Sequence, residues 1–238
     1  MKYNGLIYES DNQFIFGYGS TINYKSRNET TKFISLSIPV RISDKFGYKR
    51  CWNFQSPNAK LTALGLVKDD KNPSTINGVL FSVKKKDLNL FDRREEGYYR
   101  IQVPIHFLEP TSWCCLPNYN CIIWTYIPNK YNIPNKYYPI LQSYIDVCIN
   151  GALNYGKKFV IEFLNTTYSW NKYWLNDRKL ARRPWIYEKN YKIIDYYLSK
   201  YPKKHNFYLY RKLSSEYSIY FAYEIFNNYI RIKYKKKT

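Results

Sequence analysis

Seven short apolar or alternating runs lie between Phe14 and Ile127, and beyond Pro139 the period of the chain changes. The runs cover residues 14–16, 33–42, 48–54, 61–67, 76–83, 98–108 and 120–127. Period-two alternation, or an unbroken apolar run of this length, marks a strand, and several strands at close spacing mark a curled sheet. One helix-like insert interrupts them: over 86–95, Leu88 and Phe91 share a face, and Gly97 follows as a stop. After Pro139, the residues Ile140, Leu141, Tyr144, Ile145, Cys148, Ile149, Ala152 and Leu153 recur at helical spacing up to Gly156, and a second helix is predicted over 157–164. The pattern predicts an α+β fold. A small mixed, barrel-like sheet with flanking helices spans residues 1–165, and a basic, aromatic, helical extension over 166–238 packs on it. Within the extension, 191–201 and 215–230 read as helices, and the segment is too apolar for a disordered tail.

The first run breaks into Gly17-Tyr18-Gly19-Ser20-Thr21-Ile22. Two glycines around one tyrosine let the backbone bend sharply and let a ligand approach main-chain N–H groups that a Cβ would shield. Successive N–H groups on such a bend form a nest for an anion, a carboxylate for example. The same residues also suit a plain strand-to-loop turn.

The formal net charge of +20 has two readings. It would attract nucleic acid, an anionic membrane or a small acidic substrate. It also matches a coding bias, because Lys, Asn, Ile and Tyr are all over-used as AT-rich codons would favour. The basic residues are spread along the chain, with local runs only at 84–86, 203–204 and 235–237, and no nucleic-acid motif accompanies them. The five cysteines, Cys51, Cys114, Cys115, Cys121 and Cys148, are odd in number and lack paired C-x-x-C units. That argues against a disulfide framework and a zinc site, and it suits a reducing compartment. With His106 and His205 as the only imidazoles, no metal or cofactor is expected. No stretch reaches the ~18 apolar residues of a membrane span. The expectation is a soluble, cytoplasmic protein.

The densest polar cluster is Phe91-Asp92-Arg93-Arg94-Glu95-Glu96-Gly97-Tyr98-Tyr99-Arg100. Adjacent residues cannot share one face, so one of Glu95 and Glu96 at most turns inward. A solvated charged turn is one reading. The other is an inward glutamate acting as general base, since burial lifts a carboxyl toward the pH at which proton transfer is effective.

These residues carry a resemblance. The chain resembles the γ-glutamylcyclotransferase family, including its ChaC-like glutathione-degrading branch, over roughly residues 13–165. Tyr18-Gly19-Ser20 after an apolar strand is similar to the family's Y-G-S substrate loop. Asp92-Arg93-Arg94-Glu95, with Gly97 and Tyr99-Arg100 after it, is similar to its L-D-x-x-E segment and following G-x-Y-R, with Phe91 in place of leucine. Pro139 and Tyr144 leading into Gly151-Ala152 are similar to its late helix, at a longer Pro-to-Tyr spacing. Residues 48–52 and 77–81 also look similar.

The resemblance implies an enzyme that cyclises a γ-glutamyl peptide or amine to 5-oxoproline and releases the amine. It places the catalytic carboxylate at Glu95, three on from Asp92, with Glu96 as the alternative. It implies substrate contacts from Tyr18, Gly19, Ser20, Thr21 and Ile22 of the bend, and hydroxyls from Tyr18, Tyr99 and Tyr144. A rival reading keeps the fold without catalysis and gives the basic surface to an acidic partner or nucleic acid. Arg27, Arg41 and Arg50 are candidates either for a substrate carboxylate or for structural pairing.

Overall fold

The computed structural model describes residues 13–31, 36–111, 116–117, 120–178, 190–203 and 205–213. In chain order the elements are β1 (Gln13–Gly17), α1 (Tyr24–Thr31), β2 (Ser37–Ile42), β3 (Tyr48–Ser56), β4 (Leu61–Lys68), β5 (Ile76–Val83), α2 (Leu88–Arg94), β6 (Tyr98–Gln102), β7 (Leu108–Pro110) and β8 (Ile122–Pro128). They continue with β9 (Ile140–Leu141), α3 (Gln142–Leu153), α4 (Lys157–Asn165), β10 (Thr167–Tyr168), β11 (Trp174–Asn176), α5 (Tyr191–Lys200), α6 (Phe207–Tyr210) and β12 (Arg211–Leu213).

The main sheet has six strands in the order β6-β8-β1-β5-β2-β7. β1 lies at its centre, parallel to β8 and antiparallel to β5, with every residue buried, which is why its sequence is an apolar run and not an alternation. The expected barrel-like closure is not what forms: β6 and β7 are edges, and β3 with β4 leave this sheet to pair with β10 in a second one. A ring needs two neighbours for every strand, and β7 has three residues while β6 ends ahead of Pro104, which has no N–H to donate. The long run expected over 98–108 is accordingly split into β6, a 3-10 turn at Ile105–Phe107 and β7.

α3 and α4 cover the sheet with one apolar face each. Ile145, Cys148, Ile149 and Ala152 of α3 and Phe159, Val160, Phe163 and Leu164 of α4 are buried in the same cluster as Ile15, Phe16, Leu80 and Phe81. Gly151 lets α3 approach the bend after β1: a Cβ there would stand 2.5 Å from the Asn23 nitrogen and 2.8 Å from the Ile22 carbonyl carbon.

Beyond residue 165 the chain is not purely helical. β10 pairs in parallel with β3, and β11 joins β9 to β12 in a third sheet, so this segment adds strands to the same body alongside α5 and α6. The helix expected over 215–230, and Cys114, Cys115, Arg182, Arg183 and Trp185, lie outside the described residues. Among the described residues no helix is long and apolar enough to cross a membrane.

Candidate active site

The bend after β1 is a 3-10 turn, Ser20–Ile22, closed by Ile22 N–H donating to Gly19 C=O (3.0 Å) and Asn23 N–H to Ser20 C=O (3.1 Å). Asn23 then starts α1. Its Oδ1 accepts from the N–H groups of Lys25 (3.0 Å) and Ser26 (3.4 Å), an N-cap, while its Nδ2 donates to Val147 C=O of α3 (3.2 Å). From beneath, two buried arginines take the carbonyls of the bend. Arg50 donates to Tyr18 C=O (3.2 Å), and Arg27 donates to the carbonyls of Thr21 and Ile22 (2.9 Å each). These two serve the scaffold and not a substrate carboxylate. Arg41 pairs with Glu162 and Glu109 on the outside of the sheet.

Above the bend opens a cavity of about 1250 Å³. Tyr18, Gly19, Ser20 and Thr21 form one wall, and Arg94, Glu95 and Tyr98 another. Tyr144 of α3 and residues 54–59 of the β3–β4 hairpin close the sides. A register shift in β3 between Trp52 and Phe54 re-aims Phe54 into this wall. Its ring meets Tyr98 at 4.2 Å and leaves no room for a Cβ at Gly97, whose φ of +91° turns the chain out of α2 into β6.

Glu95 and Glu96 part company as adjacency requires. The Glu95 side chain is 21% exposed and accepts from Arg94 Nε (3.0 Å). Glu96 is exposed at the rim, where Asn58 Nδ2 donates to it at 3.3 Å. Asp92, three residues earlier, faces away and ties α2 to the sheet, accepting from Arg100 (3.1 Å) and Tyr126 Oη (2.8 Å).

Three phenols line the cavity together with Glu95. Burial, with the Glu95 charge adding to it, holds Tyr18, Tyr98 and Tyr144 above the usual phenol range, so each hydroxyl keeps its proton. Tyr18 donates to Tyr126 C=O (2.7 Å) and Tyr98 to Leu64 C=O (2.8 Å), so their rings shape the wall while their protons are engaged. The Tyr144 hydroxyl meets the Ser20 side chain and stands 3.1 Å from where a Cβ on Gly19 would lie. The structure therefore gathers Tyr18, Gly19, Ser20, Thr21, Glu95 and Tyr144 around one cavity. Two expected contacts stand elsewhere. Tyr99 is 50% exposed on the opposite face of β6, because strand alternation turns Tyr98 inward instead. Ile22 is fully buried, and its N–H is spent on Gly19.

Arg94 and Tyr98 are site residues that pattern reading missed. The phase of β6 after Gly97 would have found Tyr98, whereas nothing local distinguishes Arg94 from exposed Arg93. Among the described residues no cluster of His, Cys, Asp and Glu could hold a metal ion.

No family model and no curated protein matches this chain. Among solved structures it is similar to one described as a gamma-glutamyl cyclotransferase, at 17% identity and a TM-score of 0.46 over 61% of this chain and 85% of that one. An uncharacterized protein from Homo sapiens gives the same values. A gamma-glutamyl cyclotransferase specific to glutathione from yeast is similar at 15% identity and a TM-score of 0.36, over 82% of this chain and 91% of that one.

Proposed function

We propose that this chain is a γ-glutamylcyclotransferase-type enzyme that cyclises a γ-glutamyl peptide or amine to 5-oxoproline, with Glu95 as general acid and base. The observation that carries the reading is the placement of one inward carboxylate across a cavity from a glycine-bearing bend. The main-chain N–H groups of Gly19, Ser20 and Thr21 have no backbone acceptor among the described residues, which suits them to an α-carboxylate or a developing oxyanion.

The chemistry asks little else of the protein. Glu95 removes a proton from the substrate's α-ammonium, and the freed amine attacks its own γ-carbonyl carbon. A five-membered ring forms through a tetrahedral oxyanion. Glu95 then gives that proton to the departing nitrogen as its bond to the carbon breaks, and the freed carboxylate passes the ring nitrogen's second proton to the released amine, which leaves as an ammonium. The attack is intramolecular, so holding the chain of the substrate in a closed conformation supplies most of the acceleration, and the close walls of Tyr18, Tyr98 and Tyr144 serve that purpose.

The test is 5-oxoproline release from glutathione, γ-glutamyl amino acids, γ-glutamyl amines and protein-linked γ-glutamyl groups. Glu95→Gln abolishes turnover while its melting curve stays that of the parent, and Glu96→Gln retains turnover. Absence of product from all four classes overturns the reading and returns the +20 charge, tested by salt-dependent nucleic-acid binding, to first place.

A further inference from the structure

Arg94 joins the three elements that build the cavity. Its side chain is 20% exposed, and each of its five N–H bonds has an acceptor. Nε donates to Glu95 Oε1 (3.0 Å). Nη2 donates to Ser20 Oγ (3.2 Å) and Ser26 Oγ (2.8 Å). Nη1 donates to Thr30 Oγ1 (2.9 Å) and to the Ser26 carbonyl. Ser20 in turn meets the Tyr144 hydroxyl. A continuous hydrogen-bonded chain thus runs from Glu95 on the end of α2, through Arg94, to the bend, to α1 and to α3.

We propose that Arg94 is a positioning residue that fixes the Glu95 carboxylate at a set distance from the Gly19–Thr21 bend. The inference rests on the reading of Glu95 given above. Glu95 itself sits just past the last residue of α2, and Glu96 and Gly97 follow in a turn. Among the described residues no other polar contact holds its side chain, so the guanidinium sets where its oxygens stand. The planar fork is what suits arginine to this place. It spans the carboxylate on one side and four acceptors on the other, whereas a lysine ammonium delivers three donors from one point. Ser26 and Thr30 are one helical turn apart on α1 and so present their hydroxyls together. They anchor the guanidinium and do not themselves touch Glu95.

The experiment compares the parent, Arg94→Lys, Arg94→Met, Arg94→Ala and the double variant Ser26→Ala with Thr30→Val, measuring 5-oxoproline release and thermal melting. Displacing a catalytic group by about 1 Å costs about a hundredfold in rate. Arg94→Met and Arg94→Lys are therefore each expected to lose about a hundredfold in kcat, with KM changed far less. Free guanidinium, but not ammonium, restores part of the kcat of Arg94→Ala. The double variant, which leaves both Arg94 and Glu95 in place, loses kcat to a smaller extent and keeps the assay informative should Arg94→Met fold poorly. Full kcat in folded Arg94→Lys or Arg94→Met overturns the proposal and leaves the function standing. A rate loss matched by the unfolded fraction, with no rescue by guanidinium, overturns it also. A parent protein that releases no 5-oxoproline removes the function first, and the positioning role with it.

Discussion

Arg50, beneath the bend, and Arg178, at the seam between α3 and the C-terminal segment, are both largely withdrawn from water and are held by opposite means. Arg50 is fully buried and makes no hydrogen bond or ion pair to a carboxylate among the described residues. Its guanidinium donates to the carbonyls of Tyr18 (3.2 Å), Asn77 (2.7 Å) and Phe163 (2.9 Å), to Asn77 Oδ1 (2.9 Å), and to the hydroxyls of Thr166 (2.8 Å) and Thr167 (2.9 Å). Its face also lies 4.0 Å from the Phe163 ring centre. Burial pulls it down to about 9. Arg178 is bidentate to Asp146 (2.8 Å twice) and reaches Asp195 at 2.9 Å, which Arg211 shares at 2.9 Å. Burial lowers Arg178 too, but the two carboxylates outweigh it and hold the guanidinium above its usual value. The seam cancels its charges and gains cohesion. Under the bend the charge has no contacting counter-ion, only the more remote Glu162 carboxylate partly offsetting its burial, and it stands against the carbonyl of the Tyr18–Gly19 peptide whose N–H is a candidate anion donor. A buried cation with neutral partners polarises those peptides in a way a paired cation would not.

Removing each arginine breaks that comparison most directly. Arg50→Met strands several buried acceptors, each at a cost of about 1–3 kcal/mol. Together they approach the roughly 5–15 kcal/mol that stabilises a whole domain, so the variant is expected to give no cooperative melt. A soluble Arg50→Met with a parental melting temperature would show that those carbonyls find other donors. Arg178→Met is the milder change. It leaves Asp146, whose side chain is 2% exposed, without its cation, and breaking such a pair costs about 3–5 kcal/mol. Here a second substitution sharpens the contrast. Arg178→Met with Asp146→Leu should recover part of the loss, because a buried ion pair can be exchanged for apolar contact. No side-chain replacement can do this for Arg50, since half of its partners are main-chain carbonyls.

The same contrast explains what the sequence shows and what it hides. Strands β2 to β5 and β8, the α2–Gly97 stop and the apolar face of α3 are written as periods, because each buries apolar side chains in register with its own geometry. Of the candidate site, the Tyr18–Thr21 bend, Glu95 and Tyr144 are legible from short motifs. Helix α1 is not, for its residues Tyr-Lys-Ser-Arg-Asn-Glu-Thr-Thr carry no apolar stripe, and the side chains it buries are Ser26 and Arg27. Polar burial leaves no period, only partners, and partners are distant in sequence: Arg27 with Ser37, and Arg94 with Ser26 and Thr30. The strands β10 to β12 have two or three residues each, too few for any alternation to be read. Where β3 and β4 go is decided by β10 pairing with β3 across more than a hundred residues, so the open sheet was beyond local reading.

The smallest expected effect belongs to the seam. His205 lies edge-on to Trp170 (5.0 Å) and Trp174 (5.7 Å), with Trp170 passing the contact on to Trp52 and Trp52 to Tyr144. Its Nε2 sits 2.6 Å from Leu198 C=O and so carries the proton, while the buried Nδ1 has no partner among the described residues. Burial therefore lowers this imidazole below its ordinary value of 6.5. The sign follows from proton counting. Below pH 6.5 the unfolded chain binds a proton that the folded chain refuses, so stability falls with falling pH until the folded value is passed. Melting followed by tryptophan fluorescence between about pH 7.5 and about pH 5.5 should show a modest loss that His205→Phe removes, the carboxylates titrating mostly below that window. An identical slope in that variant would place the titrating group elsewhere and leave the seam dependent on the Asp146–Arg178–Asp195–Arg211 ions alone.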